Sequence, residues 1–264
     1  MNGVENVPDE QIDEFGRTLA RVISTRLRRE KRSPTLRMSS IGQPCERKLW
    51  YEINQSEDAD PLRPETYLKF LYGDLVEELL LFLAELAGHE VKGRQDEQEI
   101  EGIKGHRDAI IDGTLVDCKS ASTYSFKKFA SGLKPEEDAF GYLPQLQSYL
   151  FASQDDENLL VKDKAAFLVI DKTLGHITLD IHQKDEQNWP EIYSSKRQMV
   201  SGECPKRGFT DEPFGKSGNY KLGVNCSYCP FSKVCWPESR TFLYSTGPVT
   251  LTKVIRVPDV PEVT

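Results

Sequence analysis

Asp112-Gly113 separates two apolar runs, Ala109-Ile110-Ile111 and Leu115-Val116, and this pairing constrains the chain more than any other feature. A two-residue Asp-Gly loop between such runs predicts a β-hairpin with a type I′ turn. Ile111 then pairs with Thr114, and counting outward in step sets Asp108 opposite Asp117. Directly opposed residues have β-carbons roughly 4.5 to 5.5 Å apart, where two carboxylates repel unless a cation lies between them. Side chains alternate along a strand, so Lys119 shares the face of Asp117 while Val116 and Cys118 point the other way. Two carboxylates and an ammonium on one face suit Mg²⁺-dependent phosphodiester chemistry. The acids hold a hard cation, the cation activates water and neutralises charge on phosphorus, and the lysine orients the water or stabilises the transition state. The same residues also fit a plain solvent-exposed hairpin.

The 264 residues predict one elaborated domain. The longest apolar run, Leu79 to Ala84, is far shorter than the roughly 20 residues of a membrane helix. Met1 to Glu10 lacks a secretory pattern, so a cytoplasmic protein is expected. A net charge of -8 disfavours a protein that coats nucleic acid by long-range attraction. The charge is uneven, however: between 21 and 37, Arg21, Arg26, Arg28, Arg29, Lys31, Arg32 and Arg37 face one acid, Glu30. That segment reads as a solvated helical face or a phosphate-binding stripe. Apolar spacing of three and four predicts helices over 9–30 and 65–87, the second ended by Gly88. Strands are predicted over 99–119, 165–170 and 176–181. Further helices are expected over 142–152, with Pro144 in the first turn, and over 184–201, with a kink at Pro190. The order predicts a mixed α/β domain with a cysteine-rich extension.

Six cysteines stand at 45, 118, 204, 226, 229 and 235. With no export signal, metal binding or burial is a better reading than disulfides. Cys226, Cys229 and Cys235 follow a C-x2-C-x5-C spacing, which implies a thiolate-rich zinc or iron–sulfur site. The fourth ligand is Cys204 or the distant Cys45. Cys118 reads as a buried strand residue.

These elements together resemble the PD-(D/E)XK nuclease superfamily, particularly its RecB-like iron–sulfur branch. Gly105 to Asp108 matches the family's Gly-x-x-Asp element, and Asp117 to Lys119 its acid-x-Lys. Gly73-Asp74-Leu75-Val76-Glu77 stands for an upstream helical Gly-x-x-x-His or Glu. Gln145-Leu146-Gln147-Ser148-Tyr149 stands for the downstream Gln-x-x-x-Tyr. Cys45-Glu46-Arg47 through Tyr51 is similar to the Cys-x-Arg-x-x-x-Tyr opening of AddB-type nuclease domains and of the CRISPR-adaptation exonucleases of the fourth Cas group. The chain departs from many relatives in Glu77 for His, Asp117 for Glu, and a short interval between Asp108 and Asp117.

The resemblance implies a restriction-endonuclease-like mixed sheet flanked by helices, with a cysteine-ligated iron–sulfur extension. Its bounds are an N-terminal helical addition over 1–37, a nuclease domain over 38–238 and an extended tail over 239–264. It implies a Mg²⁺- or Mn²⁺-dependent DNA exonuclease of recombination, repair or CRISPR adaptation, working with proteins of those processes, in a host cytoplasm if phage-encoded. Glu77, Asp108 and Asp117 are the expected metal ligands, with Lys119 assisting water. Gln145 and Tyr149 position the strand, and Lys127, Lys128 and Lys134 contact phosphates. Cys45, Cys226, Cys229 and Cys235 are the expected ligands of a [4Fe–4S] cluster. Cys45 is preferred to Cys204 on the family match, because loop length separates them weakly, at about 0.6 kcal/mol per doubling. His106 is too weakly placed to be named a base. Two other readings share these residues: a non-catalytic cysteine-cluster DNA-binding or assembly module, and a restriction-type endonuclease.

Overall fold

The computed structural model describes residues 7–28, 34–62 and 64–263. Arg29, Glu30, Lys31 and Arg32 of the basic segment, and the end of the helix expected over 9–30, lie outside the described residues. The chain divides into two compact units, Met1–Gly42 with Arg63–Ser195, and Gln43–Leu62 with Lys196–Thr264. The division expected from the sequence, with one domain over 38–238, cuts across both.

In the first unit, α1 (Asp9–Leu27) lies on the long α3 (Pro64–Leu86), with the Phe15 and Phe82 rings stacked at 4.1 Å. A five-stranded sheet runs in the order β1 (Val91–Lys92), β4 (Ala109–Ile111), β5 (Thr114–Ala121), β6 (Val161–Asp171), β7 (Ile177–Gln183). The β5–β6 pair is parallel and the other neighbours are antiparallel, so the sheet is mixed, as expected. β2 (Glu97–Ile100) and β3 (Ile103–His106) form a separate antiparallel hairpin. Strand alternation feeds two cores. Leu115, Ala165, Phe167 and Val169 join Leu146, Tyr149 and Leu150 of α5 (Tyr142–Ala152) in one. Val116 and Cys118 meet Val76, Leu80 and Leu81 of α3 in the other. The sheet is therefore covered on both faces, as a mixed sheet with a parallel pair requires.

The Asp112-Gly113 turn has the expected register, with Ile111 opposite Thr114, Ile110 opposite Leu115 and Ala109 opposite Val116. Both turn residues have positive φ, 47° and 74°, as type I′ demands. Asp112 Oδ1 accepts the Glu90 amide at 2.9 Å, which fixes the turn further.

Two expectations change. The helix predicted over 184–201 is α6 (Trp189–Ser201). Asn188 accepts the Glu191 amide at 3.3 Å, which caps the helix there. Pro190 thus falls in the first turn, where its missing N–H breaks no hydrogen bond, and it makes no interior kink. Residues 239–264, read as an extended tail, carry β10 (Arg240–Tyr244), β11 (Gly247–Lys253) and β12 (Glu262–Val263). With β8 (Glu212–Phe214) and β9 (Asn219–Lys221) they form the second unit's sheet, ordered β12-β10-β11-β9-β8 and antiparallel throughout. Buried Asn219 of β9 ties the chain that follows β11 to this sheet, accepting the Ile255 and Arg256 amides and donating to the Arg256 carbonyl. The same unit contains α2 (Glu46–Asn54) and the single-turn α7 (Val224–Ser227) and α8 (Ser232–Cys235). No helix among the described residues is long and apolar enough to cross a membrane.

Candidate active site

One row of β5 side chains reads Leu115, Asp117, Lys119, Ala121, so two charges interrupt an otherwise apolar face beneath α5. A local rule broken inside a well-formed core is where function is expected. Asp117 is 4% exposed. Gln145 Nε2 of α5 donates to its Oδ1 at 3.2 Å. Its Oδ2 is ion-paired with Lys119 Nζ and has no well-directed hydrogen bond. The Lys119 ammonium also lies 5.0 Å from the Tyr142 ring centre, a cation–π contact.

Asp108 stands one residue before β4, just past the end of the hairpin ladder. Its Oδ2 accepts the Cys118 amide at 2.7 Å, so the carboxylate reaches across to β5. Glu77 of α3 is half-buried, and Gln95 Nε2 donates to its Oε1 at 2.5 Å. Two of the three acids, Asp108 and Glu77, are shifted by their surroundings. Burial first, then the charges of Asp117 and Glu77, raise Asp108 well above the usual carboxylate range. Burial and neighbouring acids, Asp117 among them, push Glu77 up to about 7 against its bond from Gln95. For Lys119, burial disfavours the charge, but the Asp117 and Asp108 carboxylates outweigh it and raise the pKa. The ammonium therefore stays charged.

Gln95 is the residue that sequence reasoning missed. Besides binding Glu77 it lies 3.5 Å from Asp108 Oδ1, and its amide donates to the Asp108 carbonyl at 3.1 Å. It holds φ +54° in the turn joining β1 to β2. That turn is pinned by Arg107, 1% exposed, which donates to the Gly93 carbonyl, Asp96 and Ser153 and pairs with Asp156. The available signal was Gly93 two residues before, whose β-carbon would lie 2.4 Å from the Arg107 guanidinium.

The other expected residues separate. Tyr149 is 4% exposed and packs under β3, where a β-carbon at Gly105 would lie 2.7 Å from its hydroxyl. It thus reaches the core, and of the α5 pair Gln145 alone touches an acid. His106 faces outward, 3.9 Å from Glu97. Lys127 and Lys128 lie in the last turn of α4 (Thr123–Ala130), with Lys128 bonded to the Glu137 carbonyl at 3.2 Å, and Lys134 is exposed.

Cys45, Cys226, Cys229 and Cys235 all belong to the second unit, as does Cys204. All six cysteines are free thiols, and Cys118 is buried in the α3-facing core. Burial, with the charges of Cys235 and Cys45, raises Cys226. Burial, with Cys45 and Cys226, pushes Cys229 up to about 11. The motif residues Arg47 and Tyr51 bond at 3.1 Å, and Arg47 also donates to the Pro205 carbonyl beside Cys204. Among the described residues, no three His, Cys, Asp or Glu side chains converge as a set that could hold a metal ion. The expected iron–sulfur extension is accordingly not evident as an assembled cage, and the acid cluster is likewise not closed. Its donor chemistry still fits a divalent cation: three neighbouring carboxylates, Asp108, Asp117 and Glu77, have a single ammonium, Lys119, to offset them.

Comparison with known structures finds SSO0001, at 19% identity over 85% of this chain and 96% of the other, with a TM-score of 0.45. An alkaline exonuclease from Laribacter hongkongensis matches at 13% over 64% and 88%, TM-score 0.45. A phage-related exonuclease from Haemophilus somnus 129PT matches at 16% over 63% and 90%, TM-score 0.39. No curated protein matches the sequence. The model of the PD-(D/E)XK nuclease superfamily matches residues 3–236, nearly the whole chain. On that match, with the Asp108, Asp117 and Lys119 constellation, the chain belongs to the PD-(D/E)XK nuclease superfamily.

Proposed function

We propose that the protein is a Mg²⁺- or Mn²⁺-dependent DNA exonuclease acting in recombination, repair or CRISPR adaptation. The observation that carries this reading is the buried Asp117, set among the acids Asp108 and Glu77 with the Lys119 ammonium at its Oδ2 as the one positive charge paired with it. Asp108 and Asp117 are the residues that would hold the divalent ion, with Glu77 in support. The ion supplies Lewis-acid activation of water and charge neutralisation at phosphorus.

The protein's own groups prepare that site. Gln145 orients Asp117 through Oδ1, and the Lys119 ammonium faces Oδ2. The Cys118 amide holds Asp108, and Gln95 ties Glu77 beside it. Lys119, kept protonated by Asp117 and Asp108, can donate to a phosphoryl oxygen or orient the attacking water. Tyr142 covers the ammonium and limits where it can swing. A free DNA end is the preferred substrate, because an acidic chain offers little long-range attraction for internal duplex.

In the second unit, Cys45, Cys226, Cys229 and Cys235 are proposed to ligate a [4Fe–4S] cluster. Support comes from their shared unit, the soft donor set and the electrostatic coupling of Cys226 and Cys229 to Cys45.

The test is digestion of end-labelled linear DNA and covalently closed circles, with Mg²⁺, Mn²⁺ or chelator. Metal-dependent loss of linear DNA that Asp117→Ala abolishes is expected. Undiminished cleavage by a pure, folded Asp117→Ala protein would sink the site assignment, and efficient opening of closed circles would replace the exonuclease reading with an endonuclease.

A further inference from the structure

We propose that the first unit carries a docking groove for an unpaired DNA strand, along the N-terminal half of α3. Its walls are Leu68, Lys69 and Tyr72 of α3, Ser120 of β5 and Lys172 just past β6, and its volume is about 370 Å³. The inference rests on the nuclease reading and deepens it by naming the form of DNA held next to the acids.

α3 has no fully buried residue before Val76. In the half that precedes it, Tyr67, Leu68, Phe70 and Tyr72 are 56, 67, 45 and 44% exposed. A run of large apolar side chains left in water marks a binding face. Phe70 already has a partner: Arg26 lies over its ring at 5.7 Å and pairs with Asp74. Leu68 and Tyr72, four residues apart and so on one helical row, open into the groove.

Charge selects the occupant. Lys69 and Lys172 are exposed and form no ion pair among the described residues. On a chain of net charge -8, two such ammonium groups flanking an apolar floor complement an anion that also has an apolar face. A nucleotide is such a ligand: lysine binds phosphate as a point charge, and an aromatic side chain stacks on any base. A base inside a duplex has both faces covered by its neighbours, so only an unpaired strand can use Tyr72 in this way.

The groove and the acid cluster share two elements, α3 and β5. Ser120 directly follows Lys119 on β5. Tyr72 lies five residues before Glu77 on α3, about 7.5 Å along the helix axis. Ser120 shares the α3-facing side of β5 with Val116 and Cys118, opposite to Asp117 and Lys119. β4 pairs with β5 only as far as Val116. A strand with its linkage at Asp108 and Asp117 would therefore reach Tyr72 around the edge of β5 that β4 leaves open.

Fluorescence anisotropy of a labelled oligothymidylate and of a blunt duplex, both in chelator, tests this on the full-length protein. Wild-type digestion of DNA with Mg²⁺ is measured in parallel, and circular dichroism checks that each variant is folded. Tyr72→Ala, and separately the Lys69→Ala, Lys172→Ala double variant, should weaken the single strand roughly tenfold, the scale of one lost stack or its phosphate contacts. Duplex binding should change less than about twofold, and Tyr72→Phe should bind like wild type. Unchanged oligothymidylate binding by folded variants, while wild type still digests DNA, overturns the groove and leaves the nuclease reading intact. Equal weakening of duplex overturns it in favour of a general phosphate patch. A wild-type protein that neither binds the oligonucleotide nor digests DNA removes both readings together.

Discussion

Glu77 shows how the acid cluster governs pH behaviour at the scale of one residue. In the fold it keeps its proton up to about pH 7, against 4.5 as its ordinary value, and Asp108 is shifted the same way. Between those values the folded chain binds more protons than the unfolded one, so stability falls as pH rises. The metal-free protein should therefore lose thermal stability from about pH 5 to pH 8, by up to a few kcal/mol. Glu77→Gln should flatten the profile, and Mg²⁺ or Mn²⁺ at pH 8 should restore stability by binding the ionised acids. A melting temperature that stays level across this range without metal contradicts the cluster's electrostatics. Gln95 makes a second residue-scale prediction. Gln95→Ala removes a hydrogen bond to a charged group, worth about 1.5 to 3 kcal/mol. It should weaken Mn²⁺ binding, read by calorimetry, about tenfold or more. Affinity equal to wild type would make Gln95 a bystander. Asp108, Asp117 and Lys119 were legible in the sequence because one turn type and a period of two relate them. Gln95 was not, because its amide reaches Glu77 only after a buried arginine from the link between β3 and β4 has shaped its turn.

At the level of elements, α5 is aimed by a backbone crossing. Gly141, its N-cap, holds φ +76°, and a β-carbon there would lie 1.9 Å from the Gly42 carbonyl oxygen. Neither backbone can yield cheaply, and Asp138 fixes the same helix start by accepting the Tyr142 and Leu143 amides. Gly141→Ala should thus cost about 2 kcal/mol or more, lower the melting temperature by roughly 5 °C, and depress cleavage by shifting Gln145 from Asp117. A variant that melts and cleaves like wild type would show that α5 is positioned by its core face alone. Helix 142–152 itself was readable from period and from Pro144. β10 to β12 were not: Val249 to Lys253 alternates apolar and polar residues, but Gly247-Pro248 before it marks a turn, and β12 is two residues long, too short to show a period. The start of α6 was misplaced for a related reason, since Pro190 looks like a breaker until the Asn188 cap puts it in the first turn.

On the scale of the whole molecule, the second unit is built from two stretches of chain, Gln43–Leu62 and Lys196–Thr264, with the entire 63–195 segment between them. The two stretches are joined by ordinary contacts: Arg47 to the Pro205 carbonyl, Trp50 to Gly202, Asn54 to Val200, and Lys233 to Asp60. Each such polar contact is worth about 1 kcal/mol, and an exposed ion pair less. A cluster ligated by Cys45 on one stretch and Cys226, Cys229 and Cys235 on the other would hold them far more strongly, since metal–thiolate binding is itself folding free energy. Cys204 shares the later stretch with the triplet, so a cluster using it would leave the two stretches without that tie. The ligand choice therefore has a stability signature as well as a colour. Anaerobically purified wild type should be brown; Cys45→Ser should be bleached and melt at lower temperature, with protease cutting appearing in both stretches, whereas Cys204→Ser should keep colour and melting point. Colourless, zinc-loaded wild type would remove the iron–sulfur reading. Bleaching by Cys204→Ser alone would reassign the fourth ligand, and a bleached Cys45→Ser protein as stable as wild type would show that the polar contacts suffice to hold the unit together.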